Sequence, residues 1–422
     1  MQIELAYGKG RLKAEIPDHI HTEVVEPRYV KGLPDQPGAV KEALANPIDY
    51  PSLSGSVREG QKVAIIFSDI TRATPYHIIL PPLLEALDHL PDKHITFFCA
   101  TGTHRPATPE ELITILGKEV TERFKIVQND AGDSSQQQFI GTTSSGNRIL
   151  LNSEILEYDL RILTGFIEPH FFAGFSGGGK ALMPGMASLE TVRNNHAIRM
   201  LEHPNTRWGY TAGNPLWEEV MEAAELASPL FLLNITLNRD KEVTGVFAGD
   251  LRAAHKKGCA FAKETAMAPL EETFDVVITS NSGYPLDLNI YQSVKGMSAA
   301  ERVVKKGGSI IMAAECWDGI PEGSDYETIL KSADKVEALM GFIREHETEL
   351  QDTWQVYFQA MVQMKAKVFL YSKLDPETAL SAHLEPVSNI NQLIIELVEK
   401  YGPATRICVL PEGPHTIPYL NA

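Results

Sequence analysis

The chain has 422 residues, 43% of them hydrophobic and 22% charged, which is enough for two or three domains with sizeable cores. Its 38 Lys and Arg stand against 55 Asp and Glu, a net charge of −17, so neither nucleic acid nor an anionic membrane finds a basic footprint to bind. Cys99, Cys259, Cys316 and Cys408 are widely spaced within apolar runs, which excludes a disulfide framework or a cysteine metal knuckle and leaves reduced, buried thiols as the expectation.

The opening MQIELAYGKGRLKAEIP alternates like a strand and lacks the apolar core of a signal peptide. No run approaches the roughly 20 apolar residues of a membrane span. A cytoplasmic protein is expected. KVAIIFSD (62–69) reads as a buried strand and HIILPPLLEALDHL (77–90) as the helix after it. KHITFFCATGTH (93–104) is a second strand, and TPEELITILGKEV (108–120) a helix opened by a Thr cap and Pro at its first turn. DLRILTGFIEP (159–169) and PLFLLNITLN (229–238) are further strands.

The rhythm restarts after about residue 270, where residues 274–319 give strand, loop, helix, Gly-Gly and strand. Helical stretches over 325–366 follow, then KVFLYS (367–372), a helix near 388–401, and RICVLPEGPH (406–415) as a strand running into a loop. This alternation predicts an α/β class: two α/β domains with mainly parallel sheets and the active site in the cleft between them. The boundaries are 1–270 and 271–402, with the tail 403–422 free to return to the first domain.

In open α/β sheets ligands bind beyond the carboxyl ends of strands. Four chemically loaded segments have that address: SDITR (68–72), ATGTHR (100–105), EPHFFAGFSGGGK (168–180) and NSGYPLDLNIYQSVK (281–295). His104 and His170 each follow a strand, and an imidazole is the natural general acid or base at neutral pH. Phe171 and Phe172 could dry such a site or pack in the core. His196 lies in a helix capped by Ser188, beside Asn194 and Asn195. His104, His170 and His196 could also form a three-histidine zinc site, although no carboxylate base stands at a recognisable spacing.

From Gly174 to Lys180 the chain matches G-x-x-x-x-G-K, the phosphate-cradling pattern of nucleotide triphosphatases. The next residue should carry a magnesium-binding hydroxyl, and it is Ala181. Gly177, Gly178 and Gly179 could still let backbone amides approach a single phosphate, and a desolvated lysine can become a nucleophile.

SDITR, ATGTHR, EPHFFAGFSGGGKALMPG and NNH, in this order, resemble the nickel-dependent lactate racemase family, and YQSVKG (291–296) extends the resemblance into the second domain. The resemblance implies inversion at C2 of a small anionic 2-hydroxy acid by hydride transfer to and from a nickel pincer. That cofactor is a pyridinium mononucleotide with two sulfur-containing arms, made by biosynthesis proteins that would be transient partners. Lys180 matches the lysine joined to one arm and His196 the imidazole ligand of nickel. Asp69, Ile70, Thr71 and Arg72 match the cofactor-contacting stretch, with Arg72 facing substrate. His104 and His170 match the acid/base pair. Gln292 matches a cofactor contact, and Tyr291 and Lys295 substrate contacts. Gly177 to Gly179 would then hold one phosphate, which needs no magnesium hydroxyl at Ala181. A racemase of a different 2-hydroxy acid, a zinc hydrolase and a non-catalytic cofactor carrier are the competing readings.

Overall fold

A computed structural model describes residues 1–347 and 349–421. The chain divides into two compact units, residues 29–265 and the combination of 1–28 with 266–422.

The 29–265 unit is built on a six-stranded sheet. Its centre is Val63–Ser68, where five successive apolar residues are fully buried, as a strand covered on both faces requires. Ile95–Ala100 and Lys125–Gln128 extend the sheet on one side, while Leu160–Phe166 and Leu230–Leu237 extend it on the other. All of these pairs are parallel; only the edge strand Val243–Gly249 runs antiparallel. Val63, Ile65, Phe67, Phe97, Ile162 and Phe231 form one hydrophobic core with the helix Tyr76–Glu85.

The chain leaves Val63–Ser68 towards one edge and returns on its other side with Leu160–Phe166. That reversal is a topological switch point, where strand-end loops part and open a crevice. The loops leaving these two strands carry Asp69 to Arg72 and Glu168 to Lys180.

The other unit has its own six-stranded, all-parallel sheet, with Phe274–Ser280 flanked by Val304–Ala313 and Arg406–Leu410. Its switch point, between Phe274–Ser280 and Arg406–Leu410, meets the hairpin Gln2–Tyr7/Gly10–Glu15 of the same unit. The Ala6 amide donates to the Pro411 carbonyl at 2.9 Å and the Tyr284 amide to the Gly8 carbonyl at 2.7 Å. The Gly8 amide donates to Asp287 at 2.7 Å.

The units divide differently at both termini from the sequence boundaries. His21–Val24 pairs in parallel with Arg406–Leu410, and Ile417–Leu420 with Met267–Leu270. Residues 1–28 therefore belong with the second sheet, and the tail stays there because Arg406–Leu410 is an interior strand. The Thr108 helix opens with the expected cap, a full capping box with Glu111, but breaks at Gly117, whose φ is +84°. The 325–366 stretch is three helices, Asp325–Leu330, Val336–His346 and Thr353–Lys365. Among the described residues no helix is long and apolar enough to cross a membrane.

Candidate active site

Asp69 is the first residue beyond Val63–Ser68 and is buried. Its Oδ2 lies 2.6 Å from Nδ1 of His104, while its Oδ1 accepts the Thr71 amide at 3.1 Å and the Thr71 hydroxyl at 2.6 Å. Burial pushes the carboxyl up, but the His104 and Thr71 hydrogen bonds with the Arg72 charge outweigh it and hold Asp69 below the usual carboxylate range. The His104 imidazole bonded to it is half-exposed. Asp69, the carboxylate expected to contact cofactor, has Oδ2 engaged by His104 and Oδ1 by Thr71.

His104 sits on the loop after Ile95–Ala100. Gly102 turns that loop at φ +58°, and its amide donates to the Gly185 carbonyl at 3.0 Å, tying the His104 loop to the segment that follows Lys180. Ile70, Thr71 and Arg72 are exposed, and Arg72 Nη1 donates to Thr71 Oγ1 at 3.2 Å.

His170 lies in a short antiparallel pairing of Pro169–His170 with Gly174–Phe175. Phe171 stacks on its imidazole at 5.0 Å, and Phe172 meets it edge-on at 4.4 Å. Both phenylalanines are buried. The Phe172 ring also lies 5.4 Å from Lys180 Nζ and 5.0 Å from the His196 ring. One aromatic side chain thus joins three of the residues singled out in the sequence.

Lys180 is partly buried as a residue, and its amine is pulled down to about 7, first by desolvation and then by the charge of Arg72. His196 caps the end of the Leu189–Asn195 helix, which begins at Ser188 as expected. Its Nδ1 lies 3.1 Å from the Val192 carbonyl. A carbonyl only accepts, so Nδ1 carries the proton and Nε2 keeps its lone pair. Burial, then the nearby Lys180, push this imidazole down to about 3. It is a neutral ring with its proton on Nδ1 and its lone pair on Nε2, the tautomer of a metal-binding histidine held through a backbone carbonyl.

The glycine run, expected to hold a phosphate, is packed closely against the protein. A Cβ on Gly177 would lie 2.4 Å from Asn234 Oδ1, and one on Gly178 2.8 Å from the His255 ring. Gly179 packs equally closely on the Pro215–Glu225 helix, at Val220 and Ala224. The Gly178 amide donates to Asn234 Oδ1 at 2.7 Å, and the Lys180 amide to the Gly177 carbonyl at 3.2 Å. The glycines are required so that the loop can sink against the protein, and the Gly178 and Lys180 amides are committed within it.

Three supporting residues escaped the sequence reading. Asn234 and His255 hold the glycine loop, with His255 Nε2 donating to the Ser176 carbonyl at 2.9 Å. Buried Glu219 accepts Asn195 Nδ2 at 2.7 Å and Asn147 Nδ2 at 3.0 Å, fixing the helix that ends in His196. Only Asn195 gave a sequence signal, as a polar neighbour of that histidine.

Tyr291, Gln292 and Lys295 lie on the Ile290–Glu301 helix of the other unit, capped by Asn289. The Tyr291 hydroxyl donates to Asp352 at 2.9 Å. Among the described residues no three His, Cys, Asp or Glu side chains gather as a metal site, so the His104, His170 and His196 zinc triad is not assembled. His104 is held by Asp69, and His170 by its own turn.

Family comparisons agree with this geometry. Residues 7–209 match the model of the lactate racemase N-terminal domain, and residues 270–417 that of its C-terminal domain. The chain is 37% identical to the lactate racemase of Lactiplantibacillus plantarum over 417 residues, 97% of this chain and 98% of that one. It is 34% identical to the lactate racemase of Thermoanaerobacterium thermosaccharolyticum, over 97% of each. The solved structure of the lactate racemase apoprotein from the latter organism superposes with a TM-score of 0.93, covering 99% of this chain and 100% of that one. These relatives make the chain an enzyme of the isomerase class, a racemase. The chain belongs to the lactate racemase family.

Proposed function

We propose that this protein is a 2-hydroxy acid racemase, with lactate the first substrate to try, working with a nickel-pincer mononucleotide joined to Lys180. The observation that carries this reading is the placement of the Lys180 amine and of the His196 imidazole, its Nδ1 held by the Val192 carbonyl, against one buried Phe172 ring, where burial lowers the lysine to about 7. An amine about half unprotonated at neutral pH, where an ordinary lysine is almost wholly charged, suits amide-type bond formation. An imidazole anchored through Nδ1 is a donor suited to nickel, and His196 would supply it to the metal of the cofactor. Lys180 would carry the group, His196 Nε2 would ligate the metal, and Ile70, Thr71, Arg72 and Gln292 would contact it. The glycine run supports the loop from beneath.

When bound, the group supplies an acceptor that takes a hydride from C2 and returns it to either face. The chain's own residues manage the rest. The C2–H of a 2-hydroxy carboxylate is a poor acid, because the neighbouring carboxylate is already charged. Removing the hydroxyl proton creates an alkoxide from which C2 can lose hydrogen as hydride, giving a planar 2-oxo acid. His104 Nε2 accepts that proton, and Asp69 steadies the resulting imidazolium. His170 serves the hydroxyl of the mirror-image substrate. Arg72 would anchor the carboxylate through its planar fork, and Lys295 and Tyr291 are the residues that the family resemblance assigns to substrate.

The reading includes a cytoplasmic location and transient encounters with cofactor-making proteins; four buried free cysteines are consistent with a reducing compartment. The test is a chiral assay over a panel of 2-hydroxy acids, using protein produced alongside the cofactor machinery, with metal content and intact mass measured in parallel. Racemisation with stoichiometric nickel and a covalent adduct is expected. Ester or amide turnover with zinc would overturn the reading, and an adduct without racemisation would make the protein a carrier.

A further inference from the structure

We propose that the two acid/base histidines are held in opposite tautomers, and that Asp69 is the positioning residue that makes His104 the resting base. The assignment of a base rests on the racemase reading; the tautomers rest on geometry alone.

An ionised carboxylate only accepts hydrogen bonds. With Asp69 Oδ2 2.6 Å from His104 Nδ1, the ring proton sits on Nδ1 and the lone pair on Nε2. Asp69 is buried, and its other oxygen is held by two donors from Thr71, which locks the carboxylate in place. His104 can therefore accept a proton at Nε2 without moving its ring, and the imidazolium that forms keeps its hydrogen bond to a negative charge.

His170 is oriented the other way. Its Nδ1 faces the backbone N–H of Ala173 at 3.3 Å and of Phe172 at 3.5 Å. Each contact is long, but two donors converging on one nitrogen demand a lone pair there, so the ring proton sits on Nε2. Stacking by Phe171 and the edge of Phe172 fix the ring plane. His170 thus carries its ring proton on Nε2, the opposite nitrogen from His104. To act as a base it must first place a proton on Nδ1, against the two amides, which requires the 170–173 turn to shift or the ring to rotate. The resting protein is set for the enantiomer whose hydroxyl meets His104.

The pair is therefore chemically unequal, although both members are histidines on neighbouring strand-end loops. An Asp69→Asn variant would put an amide N–H opposite His104 Nδ1 and favour the other tautomer. A triad histidine whose aspartate becomes asparagine behaves in this way and loses about 10⁴ in kcat.

The experiment is a two-bond 1H–15N correlation spectrum of the full chain labelled with 15N-histidine, at mildly alkaline pH, with His104→Gln and His170→Gln spectra for assignment. A pyridine-like nitrogen is expected at Nε2 of His104 and at Nδ1 of His170. In Asp69→Asn the His104 pattern is expected to reverse while the His170 and His255 signals hold, which reports an intact fold. In the loaded enzyme the same variant should lower kcat about 10²- to 10⁴-fold with a smaller change in KM. The same tautomer at both rings, averaged shifts, or an unchanged His104 pattern in Asp69→Asn would overturn the proposal. Absence of racemisation with the tautomers as described would instead count against the racemase reading alone.

Discussion

Lys180 Nζ lies 5.4 Å from the centre of the Phe172 ring, and its amine is nonetheless held at about 7. A ring face attracts an ammonium by about 0.5–2 kcal/mol. Here desolvation, and then repulsion from Arg72, are the larger effects. The neutral amine is the form that can be acylated, so the surroundings that destabilise the ammonium suit the covalent link proposed for this residue.

That destabilisation has a sign in pH. The folded-state value lies below the ordinary 10.5, so the unfolded chain binds more protons between about 7 and 10.5. Stability should rise with pH across that window. Lys180→Met removes the penalty and should stabilise the cofactor-free protein at pH 6 by about 1–3 kcal/mol, a gain that shrinks towards pH 10. Denaturant unfolding of both proteins at several pH values checks this.

His255 predicts acid sensitivity. Burial holds its imidazole at about 4, against an ordinary 6.5, while its Nε2 proton supports the Ser176 carbonyl. The unfolded chain binds the extra proton first, so the stability from a neutral His255 is present above about 6.5 and lost as pH falls towards 4. Melting temperature against pH should fall through that interval, with a shallower slope in His255→Gln.

Gly178→Ala should be costly. Its φ of +60° is left-handed, and the added Cβ would stand 2.8 Å from the His255 ring. Strain plus overpacking gives about 2–4 kcal/mol of destabilisation. Thermal unfolding measures it, and a loss below about 1 kcal/mol would show that the loop relaxes freely.

His104→Ala and His170→Ala should each lower kcat/KM by about 10²–10⁴. Mirror-image substrates have an equilibrium constant of one, so the loss must be equal in both directions even where kcat and KM shift separately. Initial rates from each pure enantiomer provide the check.

The parts of this protein that announce themselves in the sequence are local. Val63–Ser68 is legible as an unbroken apolar run, and the Thr108 and Ser188 caps as polar residues before helices. His104, His170 and Lys180 are legible because they follow strands. What escaped is long-range. Asp69 and His104 are 35 residues apart, and no periodicity links a carboxylate on one loop to an imidazole on another. Asn234 and His255 read as ordinary strand and helix residues until the glycine loop is seen resting on them. The same blindness hides the allegiance of the N-terminus, since His21 meets Arg406 across 385 residues. The glycine run was visible but ambiguous: close approach is what glycine permits, and the sequence does not say whether phosphate or protein approaches.

Hydride transfer at C2 is tested most directly with lactate carrying deuterium at C2, followed through one inversion by the loaded enzyme in ordinary water. The opposite enantiomer should keep its deuterium, because the hydrogen never leaves as a proton that mixes with solvent. Loss of the label to water at the rate of inversion would contradict the mechanism and point to proton abstraction instead.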